Sequence, residues 1–75
     1  MPVVQLFAAS RLVMYFGDHL VPHVHLKLND GRECTIEINT LKIVGNVQRR
    51  EVREELDWIE KNRWFLLNEW SRLST

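Results

Sequence analysis

The sequence predicts an α+β domain, a four-stranded antiparallel sheet packed on one long C-terminal helix. Three observations carry this prediction. Up to Asn46 the chain consists of short runs rich in Val, Leu, Ile, Phe and Tyr, interrupted by turn-forming residues. Within "HVHLKL" and "RECTIEI" apolar and polar residues alternate, as one side of a strand requires. From Val47 to Leu73 there is neither Pro nor Gly, and Glu, Arg and Leu dominate. A chain of 75 residues makes a single domain, 1–75, whose one thin core removes little more than ~60% of the unfolded surface from water.

The first two strands are "VVQLFAAS" and "RLVMYFG", turning back on each other near Ser10. The next two flank "NDG", and the loop length follows from which register brings like faces together. A two-residue turn at Asp30 and Gly31 would set Leu26 against Thr35 and Val24 against Glu37, an apolar face against a polar one. A three-residue loop, Asn29 to Gly31 with Gly31 left-handed, sets Leu26 against Cys34, Val24 against Ile36 and Lys27 against Glu33. The second register is the expected one, and it places His23 directly across from Glu37.

Gly45 and Asn46 then read as a turn and an N-cap, and the helix runs from there to Leu73. Val52, Leu56, Ile59, Leu66, Trp70 and Leu73 follow spacings of three and four, with Arg63 in the one polar gap, so this stripe should cover Val24, Leu26, Cys34, Ile36 and Ile38. The other side of the sheet should present the histidines. Trp58 and Phe65 lie on an adjoining helix face and Trp64 close to the opposite one, which makes Trp58, Trp64 and Phe65 candidates for a partner-binding surface.

Ten basic and ten acidic side chains cancel, so no basic excess announces nucleic acid. The lone Cys34 can form neither an intrachain disulfide nor a cysteine-based zinc site and reads as a core thiol. The N-terminus lacks the features of a signal peptide, and no apolar run approaches a membrane span. A cytoplasmic protein with no membrane association is the expectation.

The stretch "GDHLVPHVHLKL" holds all three histidines, His19, His23 and His25, within seven residues. Three neutral imidazoles and a water would make a catalytic zinc site, but Lys27 continues the same face with positive charge, and no metal or other cofactor is expected. Two imidazoles within reach of one phosphodiester could instead act as base and acid without a metal, with Glu37 favouring the imidazolium of His23. Such a reaction needs cations for the developing phosphorane charge, and Lys27, Arg49, Arg50 and Arg53 are the candidates. Arginines at a helix start oppose the helix dipole, a departure that points weakly to function, although an Arg50–Glu54 pair on a solvated face would account for them as well. The histidines also have a structural reading, in which Pro22 keeps Val21 extended and His19 bonds to the loop backbone.

"DHLVPHVHL", "RREVREELDWIEKNR" and "LLNEWSRL" together resemble domain-of-unknown-function family 4160, a group of small bacterial proteins, over nearly the whole chain. Val21 stands where the family usually has a further proline, and Trp64 and Phe65 stand where acidic residues are expected in relatives. Members are often encoded beside a second small protein, and the resemblance implies the toxin-like component of a toxin–antitoxin-type pair with a small antitoxin-like partner. The histidines suggest a metal-free ribonuclease for that role, with RNA as a further partner. The alternative is a non-catalytic interaction module, antitoxin-like or an assembly protein, acting through the exposed helix aromatics. Self-association into a homo-oligomer stays open beside both.

Overall fold

The computed structural model describes residues 3–15 and 21–74, the side chain of Ser74 excepted. It is α+β, with five strands, β1 (Val3–Leu6), β2 (Ser10–Val13), β3 (His23–Leu28), β4 (Glu33–Glu37) and β5 (Ile43–Gly45), followed by a 3-10 turn (Arg49–Glu51) and two helices, α1 (Arg53–Lys61) and α2 (Arg63–Ser74). The strands form one antiparallel meander in the order β1-β2-β3-β4-β5. The expected α+β class is present, while four strands become five and one helix becomes two.

The β3–β4 hairpin has the register that alternation demands, with His23 paired to Glu37, Val24 to Ile36, Leu26 to Cys34 and Lys27 to Glu33. Leu28 N–H donates to the Arg32 carbonyl at 2.9 Å and Gly31 N–H to the Leu28 carbonyl at 3.0 Å, closing a loop of Asn29, Asp30 and Gly31. Gly31 has φ 97°, the left-handed conformation that costs glycine least. Arg32 then ties the hairpin tip to the 3-10 turn, bonding Glu51 at 2.8 Å and Asp30 at 2.9 Å.

The fifth strand lies where a turn was expected. Gly45 is its last residue, paired with Cys34, and a Cβ at Gly45 would come within 2.8 Å of the Cys34 Cβ and 2.9 Å of the Glu33 carbonyl oxygen. Only a glycine lets the two strands approach so closely there, and the same residue type that marks turns here marks a contact.

The helical segment departs from expectation at its start and its middle. Asn46 is not the cap; Gln48 precedes the 3-10 turn, with its N–H donating to Glu51 Oε2 at 2.8 Å, and α1 begins at Arg53. Asn62 is the last residue of α1's bonding, with φ −113°; its backbone N–H still makes the ordinary helical bond to the Trp58 carbonyl at 3.0 Å, and its side-chain amide donates to the same carbonyl at 2.9 Å, a local bonding option that asparagine offers in competition with the helix. Arg63 then donates from Nε to the Ile38 carbonyl at 2.9 Å, binding the break to the end of β4.

The apolar stripe survives the break. Val52, Leu56, Ile59, Leu66, Trp70 and Leu73 are all buried and join Leu12, Met14, Val24, Leu26, Cys34, Ile36 and Ile38 in one core. Burial and nearby Glu33 and Glu55 push the Cys34 thiol up to about 11, as suits a core thiol. One polar pair is sealed at this layer: Ser10 donates to Glu55 Oε2 at 2.6 Å, and both residues are buried. Among the described residues no helix is long and apolar enough to cross a membrane.

Candidate functional site

Because side chains alternate along a strand, β3 sends Val24 and Leu26 into the core and His23, His25 and Lys27 to the opposite side, where Val13 and Tyr15 also belong. This side is not the open bench the sequence suggested. His23 is only 8% exposed, and Val13 is completely buried. The imidazoles stand in a row of rings: Tyr15 to His25 at 4.5 Å, His25 to His23 at 5.2 Å and His23 to Trp70 at 5.0 Å between centroids. The Lys27 ammonium sits 5.8 Å from the Tyr15 ring centre, extending the row with a cation over an aromatic face.

Specific bonds orient both rings. Since a carbonyl can only accept, the 2.8 Å contact of His23 Nδ1 with the Val21 carbonyl places a proton on Nδ1, and the neutral ring then carries its lone pair on Nε2. Glu37 lies opposite His23 in the backbone register as expected, but its carboxylate accepts from the Thr40 hydroxyl at 3.1 Å. The carboxylate that approaches an imidazole is that of Glu33, 3.4 Å from His25 Nδ1, reaching diagonally past its own partner Lys27.

A small hollow of about 180 Å³ opens beside His23, lined by Val21, Thr35, Glu37 and Val44 as well. His25 and Lys27 are not among its walls. The arginines lie elsewhere. Arg49 and Arg53 line a larger open cleft of about 450 Å³ with Leu41, Leu56, Asp57 and Glu60, and Arg49 donates from Nη2 to the Leu41 carbonyl at 2.9 Å. Arg50 is exposed in the 3-10 turn. The structure thus brings His23 and His25 together and sets Glu37 and Thr35 beside His23, without bringing Arg49 or Arg53 into that hollow. Nor are the arginines a run of misplaced helix starters: Arg49 and Arg50 precede α1, so Arg50 and Glu54 are not successive turns of one helix. His19 lies outside the described residues. Among the described residues no group of three His, Cys, Asp or Glu side chains is placed to hold a metal ion.

The aromatics expected at the surface divide. Trp58 is half-buried and meets Phe7 edge to face at 6.1 Å, whereas Trp64 is 81% and Phe65 49% exposed at the start of α2.

Sequence reasoning put Glu33 on the histidine face, opposite Lys27, but did not single it out as the partner of His25, and it did not single out Tyr15 or Trp70 as neighbours of the histidines, nor the Ser10–Glu55 pair. Glu33 was within reach of it, because the chosen register already put that carboxylate one diagonal step from His25. Ser10 alternates with Leu12, and Glu55 borders the Leu56 and Ile59 stripe, so a polar bridge across the core was latent in the pattern.

This arrangement sits within a known family. Residues 10–71 match the model of a domain of unknown function, DUF4160, and the chain belongs to that family. No curated protein and no solved structure matches it significantly.

Proposed function

We propose that this chain is the toxin-like component of a bacterial, cytosolic toxin–antitoxin-type pair and that it engages a small protein partner through Trp64 and Phe65. The observation that carries the reading is their exposure, 81% and 49% for two adjacent aromatics, in a chain that covers its other tryptophans with Phe7 or the core. Covering such rings with a partner gains about 25 cal/mol for each Å² of apolar surface removed from water. Buried aromatics of this kind are also the residues that most often dominate the energy of an interface. The test is co-expression with the product of a small gene found adjacent to the one that encodes this chain. The expected result is a complex that survives purification with the unmodified chain and is lost with Trp64→Ser and Phe65→Ser together, while the variant keeps its circular dichroism spectrum. A complex indifferent to both substitutions would sink the proposal.

A second reading, a metal-free ribonuclease, is favoured by the 5.2 Å spacing of the His23 and His25 rings, with Glu33 at His25 and a hollow at His23. Base and acid could divide between two such rings. Its test is growth and RNA integrity in cells expressing a folded His23→Gln, His25→Gln double variant: a toxic unmodified chain that becomes harmless supports it, and undiminished toxicity refutes it.

A further inference from the structure

We infer that the cleft along α1 is a two-fold contact between copies of this chain, in which Arg53 of each copy enters the other's cleft and pairs with Glu60. The cleft has an apolar floor of Leu41 and Leu56 and four charged side chains on its walls. Two of these are engaged within the chain. Arg49 donates to the Leu41 carbonyl, and Asp57 pairs with Lys61 at 3.0 Å. Arg53 and Glu60 form no ion pair with any described residue, yet both face the same cleft.

Their spacing makes the face complementary to itself. Seven residues are two helical turns, so Arg53 and Glu60 stand about 10 Å apart on one face of α1, with a positive end and a negative end. A two-fold axis between Leu56 and Asp57, perpendicular to the helix, lays two α1 helices antiparallel. Each positive end then meets a negative end, forming two identical pairs from one surface, as an isologous dimer requires. The arginine stem can lie on the leucine floor while its guanidinium reaches the carboxylate. A small bipolar ligand or an unrelated protein would have to supply this charge pattern; a second copy carries it already.

Two ion pairs at a partly exposed contact give weak association that added salt opposes. The dimer is therefore expected at chain concentrations near ~0.1 mM and low ionic strength, dissociating as salt is raised. Charge reversal provides a decisive test by sedimentation equilibrium. Arg53→Glu and Glu60→Arg should each raise the dimer Kd at least about tenfold, since each turns both pairs into repulsions. The two together should restore it. Both substitutions suit the helix dipole, Glu in the first turn and Arg in the last, and circular dichroism should show unchanged helix. Trp64→Ser should leave the dimer intact, which separates this contact from the surface assigned to the protein partner. A monomeric unmodified chain under these conditions, a dimer indifferent to Arg53→Glu, or a double variant as weak as the singles would overturn the inference and leave the cleft to another occupant.

Discussion

The two sides of the β3–β4 hairpin are made from alternate residues of the same strands, yet different forces hold them. Val24, Leu26, Cys34 and Ile36 lie beneath the helices in a core limited by shape. His23, His25, Lys27, Glu33, Thr35 and Glu37 lie on the other side, held by ring edges, a carbonyl bond and a carboxylate–imidazole approach. The first side tolerates few changes of volume, and the second depends on orientation and charge. The imidazoles of His23 and His25 lie on the second alone.

The widest separation is expected between neighbours on β4. Ile36→Ala removes a fully buried side chain from the core and should cost about 2–5 kcal/mol in chemical denaturation, comparable to the whole stability of so small a domain. Thr35→Ala, one residue away on the other side, loses only a long 3.5 Å bond to the Val44 carbonyl and should cost under ~1 kcal/mol. Equal costs would break the comparison. Gly45→Ala, on the edge strand beside Cys34, should fall between them at about 1–3 kcal/mol, because its φ of 138° and its contact with backbone atoms leave a methyl group no room.

His23→Ala sharpens the comparison from the polar side. That ring is as buried as a core residue and touches Trp70, so its loss should cost about 1–2 kcal/mol through packing and the Val21 bond. Lys27→Ala, at the half-exposed end of the same row, should be nearly neutral in the same denaturation series.

Acid should also loosen the hairpin tip. The Arg32 guanidinium bonded to Glu51 holds that carboxyl down, from the ordinary 4.5 to about 2. A carboxyl depressed on folding stabilises the fold above its unfolded pKa, and that contribution disappears as pH falls from about 4.5 through about 2. Arg32→Gln should therefore flatten the acid limb of a stability–pH curve over that window. An unchanged limb would place the acid response elsewhere.

The hairpin was legible because a one-residue slip would have turned every apolar side chain to the wrong face, leaving a single acceptable register for Val24, Leu26, Cys34 and Ile36. The helical stripe was legible for the same reason, and it persists through a break that the stripe itself does not record. Gly45 was not legible, since what it does depends on the Cys34 backbone, distant in sequence, and the break after Asn62 was missed because its local amide bond to the Trp58 carbonyl acts together with a distant one, from Arg63 to the Ile38 carbonyl. The crowding of the histidines was hidden likewise, because Trp70 reaches His23 from 47 positions away. Local pattern specifies faces; only tertiary packing specifies which polar face is covered.

The smallest expected effect tests that last point at the opposite extreme. Trp64 is 81% exposed, and nothing in the core depends on its ring, so Trp64→Ser should change the unfolding free energy by no more than about 0.5 kcal/mol. Serine at an exposed helical site costs a few tenths of a kcal/mol in propensity, which accounts for most of any loss. A large residue whose removal leaves stability alone contributes nothing to folding that a polar residue would not, while it exposes apolar surface to water. That combination is what the proposed partner surface requires of Trp64. Thermal or urea denaturation of Trp64→Ser beside Trp70→Ser makes the contrast direct, since Trp70 joins the core to His23 and its loss should cost several kcal/mol. If Trp64→Ser proves as damaging as Trp70→Ser, the ring supports the fold itself, and the partner surface at the start of α2 is refuted.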